Sequence, residues 1–169
     1  EFGKADVALK ILDQPVQGLS MARKKGIEES TFNILIFCDD DNALHPNYIE
    51  SASQIMKMHP QIGALGAQGI MVGGIPRWLR GLEEFYAVGP QGNESGDVTD
   101  VRGCLYGAGL TIRKAVLDQV EKKQFQSILA DRTKTSLLSG GDTELTFAIR
   151  LLGYRLWYDD RLKFEHFIS

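Results

Sequence analysis

Cysteine is scarce. Cys38 and Cys104 are the only two in 169 residues, far apart and each in an apolar setting. That excludes a disulfide-stapled scaffold and reads as two reduced core thiols in a cytosolic protein. Long hydrophobic runs are lacking too: none approaches the roughly 20 residues that span a bilayer, and no basic-then-apolar signal segment opens the chain. Basic excess is also missing, with 19 Lys and Arg against 22 Asp and Glu. Electrostatic binding to nucleic acid needs such an excess or a basic stripe, so that function class is excluded. There is no internal repeat and no low-complexity tract. What is left is one domain's worth of chain, long enough to bury roughly 70% of its unfolded surface.

The hydrophobic pattern that is present alternates between two kinds. The first fifteen or so residues have no clear period and read as a short helix or a lead-in. A helix follows, with Ser20 placed to cap it and Met21, Ala22 and Ile27 within it. Asn33 to Cys38 is a continuous apolar run, which predicts a parallel-type strand covered on both faces. Tyr48 to Met58 predicts a helix that stops before Pro60. Ile62 to Val72 predicts a second strand, turning at Gly73-Gly74. The segment from 75 to 100 has poor periodicity. Cys104 to Ile112 predicts a third buried strand, and Lys114 to Lys122 a short helix. Leu129 to Ser139 reads as a polar loop. Leu145, Ala148, Ile149 and Leu152 fall at helical spacing, with Gly153 as a C-terminal cap. Tyr154 to Tyr158 and Leu162 to Phe167 read as two closing strands. Strands alternating with helices predict an α/β fold, although no strand-turn-helix unit of the nucleotide-binding kind precedes Ser20.

Three acids, Asp39, Asp40 and Asp41, follow directly on the first apolar run. Carboxylates at the end of such a strand lie where ligands bind in open α/β sheets. Adjacent acids repel, and a divalent cation with hard oxygen preference, Mg²⁺ or Mn²⁺, is a common way to hold them ionised. A solvated turn is the alternative. A calcium-binding helix-loop-helix fits Asp39, Asp41 and Glu50 but fails at Ala43 and Leu44 and lacks the preceding helix. An aspartyl-phosphate phosphotransferase or phosphatase, with Asp39 as nucleophile, stays open. The Gly140 to Glu144 stretch looks superficially like a diguanylate cyclase signature, but Leu145 and the helical residues after it argue against one. Asp142 follows two glycines at a helix start, where it serves either as a cap or as a reactive carboxylate close to a ligand. His166 lies near the chain end, and a lone histidine there is either packed, exposed or a ligand.

The order of these blocks resembles glycosyltransferase family 2, of the GT-A fold. The resemblance runs through Gln17 to Ile27, Ile34 to Asn42, Tyr106 to Arg113, Ser139 to Leu145, Gly153 to Tyr158 and Phe164 to His166. It implies a Rossmann-like mixed sheet flanked by helices, in one partial domain over 1–169, with 1–16 as lead-in and 17–169 as the family-like region. The family's first nucleotide-binding strands would precede residue 17. Their absence leaves a sheet edge that could pair with a second copy. Residue by residue, the resemblance implies that Asp39, with Asp40 beside it, lies near the donor's ribose and sugar. It implies that Asp41 binds Mn²⁺ or Mg²⁺, with His166 completing the metal shell, and that Arg23 lies near the nucleotide. Asp142 matches the catalytic acid of the family's Glu-Asp motif, with Gly141 standing where the Glu would be. Trp78, Phe85 and Tyr86 lie where acceptor contacts vary, or are three core aromatics.

The implied function is metal-dependent, inverting transfer from a nucleotide-diphosphate sugar, with a UDP-sugar as the expected donor, to a glycan or lipid-linked acceptor. Surface polysaccharide or glycan assembly, in the cytoplasm or peripheral to its membrane face, is the implied setting. A nucleotide-sugar-binding module without chemistry, consistent with Gly141, is the other alternative.

Overall fold

The structure, a computed structural model, describes residues 8–125 and 140–167. Its element order is α1 (Leu19–Glu29), β1 (Ile34–Ile36), β2 (Asn42–Leu44), α2 (Tyr48–Met58), β3 (Ile62–Met71), β4 (Gly96–Asp97), β5 (Thr111–Arg113), α3 (Lys114–Lys122), α4 (Gly141–Leu151) and β6 (Arg155–His166). Two short 3₁₀ turns, Arg77–Leu79 and Glu83–Tyr86, sit between β3 and β4. The strands form one mixed sheet in the order β1-β5-β3-β6-β2, with β4 also on β6. β3 and β6 run parallel, and every other pairing is antiparallel. The expected α/β fold, a mixed sheet flanked by helices, is therefore what the chain adopts.

Two apolar clusters cover the sheet. One joins Leu110, Ile112, Leu156 and Tyr158 to α3 and α4 through Val116, Leu117 and Ile149. The other joins Ile62, Leu65 and Phe164 to α2 through Tyr48, Ala52, Ile55 and Met56. Neighbours Ala64 and Leu65, both fully buried, belong to different clusters. Successive side chains of a strand face opposite sides, so the helices lie on both faces of the sheet. No described helix is long and apolar enough to cross a membrane.

Several expectations need correcting. The run from Asn33 to Cys38 yields only a three-residue strand. It is antiparallel to β5 rather than parallel and lies at one edge of the described sheet, half-buried on both faces, with Leu35 and Phe37 against one cluster and Ile34 and Ile36 against the other. Ile27 of α1 joins Leu35 and Phe37 against the α3–α4 cluster. Cys38 is exposed, not a core thiol, because it lies beyond the strand's end. Cys104 to Leu110 is irregular, with Gly109 at φ 68°, and only Thr111–Arg113 pairs. The two closing strands are one, β6, because both ends pair with β3 across a register shift. Ser20 lies inside α1, whose N-cap is Gly18. The expected loop from Leu129 to Ser139 lies outside the described residues.

Trp78, Phe85 and Tyr86 are exposed and not core aromatics. The turns that carry them are anchored by Leu79 instead.

Candidate active site

The acids of 39–41 lie on a turn closed by Asn42 N–H donating to the Asp39 carbonyl at 3.1 Å. The turn leads straight into β2, whose Asn42 pairs in register with His166 at the end of β6. The Phe167 N–H donates to the Asp41 carbonyl at 2.9 Å, and the Val72 N–H to the His166 carbonyl at 3.0 Å. Backbone pairing thus fixes Asp41 beside His166, with Asp41 Oδ2 and His166 Nε2 3.3 Å apart. Asp41 is about half exposed, while the His166 side chain is largely covered.

Asp142 arrives from the other side. Gly140, at φ 133°, forms the N-cap of α4, and Gly141 opens the helix. Asp142 and Glu144 occupy the first turn, where carboxylates meet the positive end of the helix dipole. The N-cap, Gly140, has no side chain to cap the helix. The Asp142 carboxylate pairs with the Arg23 guanidinium on α1, which also lies 3.8 Å from Asp39 and stacks over Phe37 at 5.5 Å. One buried-side cation therefore bridges two acids separated by more than a hundred residues in sequence.

Gly107 supplies the space. A Cβ built there would overlap the Asp142 carboxylate. The pair Gly107 and Gly109 in an otherwise apolar stretch signals such a close approach, yet sequence reasoning gave Gly107 no role, because α4 as its neighbour is not visible in local sequence. Arg23 was expected near the nucleotide, but its carboxylate partners were not anticipated. Asp40 is exposed and joins no hydrogen bond or ion pair among the described residues.

Burial pushes the Asp39 carboxyl above its ordinary value. Arg23 opposes this, and the nearby Asp142 and Asp41 charges reinforce it. Burial also raises the Cys38 thiol, with Asp39 and Asp41 adding to the effect. A carboxyl raised in this way favours a bound cation or a mobile proton.

Among the described residues no three metal-binding side chains converge. The donor pair Asp41 and His166 nonetheless fits a six-coordinate ion. Two adjacent ligands of such an ion lie about 3 Å apart, given its ~2.1 Å bonds. A carboxylate oxygen with an imidazole nitrogen is an acceptable set for Mn²⁺. His166 Nδ1 and Asn42 Oδ1 are buried beside the pair without a partner, so the corner is polar and incompletely satisfied. Such ions complete their shell with water and substrate phosphates, so two protein ligands suffice.

The chain resembles two solved structures that share its fold. The structure of residues 1–349 of S. aureus TarS in complex with UDP-GlcNAc matches with a TM-score of 0.61 at 14% identity, over 90% of this chain and 39% of that one. GalNAc-T7 with UDP, GalNAc and Mn²⁺ matches with a TM-score of 0.62 at 12% identity, over 90% of this chain and 31% of that one. At these identities the likeness carries the fold, which is of the GT-A type. A Bacillus subtilis (strain 168) protein named as a glycosyltransferase, EpsH, is 38% identical over 50 residues, 30% of this chain and 14% of that protein. The chain thus spans well under half the length of each of these relatives. Residues 1–121 match the family described as Glycosyl transferase family 2, and by that match, over most of its length, the chain belongs to glycosyltransferase family 2.

Proposed function

We propose that this chain carries the catalytic centre of a metal-dependent glycosyltransferase that moves a sugar from a UDP-sugar to an acceptor hydroxyl with inversion. The observation that carries the reading is the meeting of Asp39, Arg23 and Asp142 from three separate elements. The Asp41–His166 pair on the adjoining strands extends the site. Family membership supports sugar transfer, and the UDP-GlcNAc of the TarS structure and the UDP and GalNAc of the GalNAc-T7 structure favour a uridine diphosphate sugar.

In this reading Asp142 is the general base. It takes the acceptor hydroxyl's proton as that oxygen bonds to the anomeric carbon, on the face opposite the departing diphosphate. The bond from the anomeric carbon to the diphosphate oxygen breaks, and its electron pair leaves with the nucleotide. A carboxylate can serve although its affinity for protons is low, because the hydroxyl becomes acidic only as the new bond forms.

Arg23 has two tasks. Without donor it holds Asp142; with donor, its positive charge lies where the diphosphate develops negative charge. Asp39, with Asp40 beside it on the turn, faces the donor's ribose and sugar. Asp41 and His166 would hold Mn²⁺ or Mg²⁺, whose chemistry is to stabilise charge on the leaving diphosphate. The acceptor is a glycan or a lipid-linked sugar, in surface polysaccharide or glycan assembly at the cytoplasmic face of a membrane.

The test is calorimetric titration of UDP with and without Mn²⁺, on the parent and on Asp41→Ala. Metal-dependent heat that disappears in the variant supports the site. Binding that is indifferent to both metal and Asp41 removes it.

A further inference from the structure

We propose that the segment from Val72 to Tyr86 is a docking face that seats the molecule on an anionic phospholipid surface. The segment leaves the sheet at the end of β3 and folds into the two 3₁₀ turns. Leu79, fully buried, fixes it to the body. Backbone N–H groups of Leu79, Leu82 and Phe85 donate in series to the carbonyls of Pro76, Leu79 and Leu82, at 2.9–3.1 Å. With one side chain anchored, the same turns hold Trp78 62% exposed, Leu82 46% and Phe85 74%. The Trp78 and Tyr86 rings meet edge to face at 5.8 Å, so both turns present one surface.

Charge selects the occupant. Arg77 and Arg80 flank Trp78, both exposed, and no described carboxylate lies within ion-pairing distance of either. The second turn carries two acids: Glu84 faces Arg102 at 3.9 Å, and Glu83 is only partly exposed, which leaves the two arginines as the exposed charges without a described counter-ion. Tryptophan and other apolar side chains with unpaired arginines beside them match the headgroup zone of a bilayer, where the rings enter the interface and the guanidinium groups meet lipid phosphates.

A sugar or peptide would call for concavity, whereas Trp78 and Phe85 stand mostly exposed on the turns. Position adds a consequence. The Val72 N–H donates to the His166 carbonyl at 3.0 Å, so the lipid-facing segment starts at the edge of the candidate active site. Docking itself is independent of the catalytic reading. Only its corollary, that the acceptor is presented at the lipid surface, rests on it.

The experiment is co-sedimentation with phosphatidylcholine vesicles, with and without phosphatidylglycerol, read together with tryptophan emission. Trp157, the other tryptophan, is partly buried and stacked on His59 at 4.8 Å, so a blue shift on binding reports Trp78. The expected result is binding to the phosphatidylglycerol vesicles with a blue shift, weakened by salt. The double variant Trp78→Ser/Phe85→Ser should weaken it by more than about tenfold. Arg77→Glu/Arg80→Glu should remove the preference for phosphatidylglycerol.

Circular dichroism and the UDP titration, unchanged from the parent, establish that the variants are folded. No sedimentation with either vesicle overturns the proposal, as does equal binding by parent and double variant. A concentration-dependent dimer that the double variant abolishes, without vesicle binding, also overturns it and assigns the face to a second copy. Asp41→Ala should lose UDP and keep vesicle binding, so failure of the docking face and failure of the catalytic site give different results.

Discussion

Burial raises the Asp39 carboxyl, and Arg23, the next influence in size, does not bring it back to its ordinary value. A carboxyl raised in this way binds its proton more tightly in the native chain than in the unfolded one. Its contribution to stability is full below the unfolded value and lost as pH rises through the folded value. Asp39→Asn removes that loss. Thermal melts should show the variant at least as stable as the parent at neutral pH, the two converging in acid, while the variant binds UDP more weakly. A parent that is clearly more stable at neutral pH would contradict this. Gly107→Ala should do the reverse of a packing defect. The added methyl meets the Asp142 carboxylate, a movable group, so stability should change by less than about 1 kcal/mol. Transfer should fall by roughly 10²-fold, as expected when a reacting group is displaced by about 1 Å. Assays of melting and turnover on the same sample test the split. The acids themselves were legible in sequence, because an apolar run ending in three carboxylates is a local signal. The Arg23–Asp142 pair and the role of Gly107 were not, since both depend on how α1 and α4 pack.

Helices were easier to read than strands. α2 and α3 occupy the residues their periodicity predicts, and α4 ends where Gly153 takes φ 85°. Strands depend on partners distant in sequence. The polar Asp159-Asp160-Arg161 interrupts the apolar pattern of β6 and looks like a turn. In the structure Asp159 is buried and held by Arg161 Nε at 2.8 Å, while β3 pairs on both sides of it. The run before β5 shows the opposite case: Cys104 to Leu110 is largely apolar, contains Gly107 and Gly109, and forms no strand. β3 also carries a glycine that admits no substitute. Gly69 bridges to Gly89, and a Cβ at Gly69 would overlap the Ala87 carbonyl oxygen, a backbone atom that cannot swing aside. Gly69→Ala should therefore destabilise the fold by ~1–3 kcal/mol, as overpacking does. Urea unfolding measures it, and an unchanged midpoint would show that the β3–Gly89 contact is dispensable.

At the scale of the molecule, β6 ties the two helical layers together. Its Leu156 and Tyr158 belong to the α3–α4 cluster, and its Leu162 and Phe164 to the α2 cluster. The same strand ends at His166, so the sheet that holds the cores also sets one side of the candidate site. α4 sets the other through Asp142, and α1 spans the gap with Arg23. This placement brings residues spread over most of the sequence to one point. It also explains why the order of motifs identified the family while each motif alone was ambiguous. The central claim is that Asp142 acts as the base beside a diphosphate site. Measuring UDP binding and sugar transfer side by side in Asp142→Asn tests it most directly. The expected result is metal-dependent UDP binding like the parent's, with transfer reduced by ~10²–10⁴-fold. Turnover near the parent's rate in a variant that binds UDP normally would contradict it.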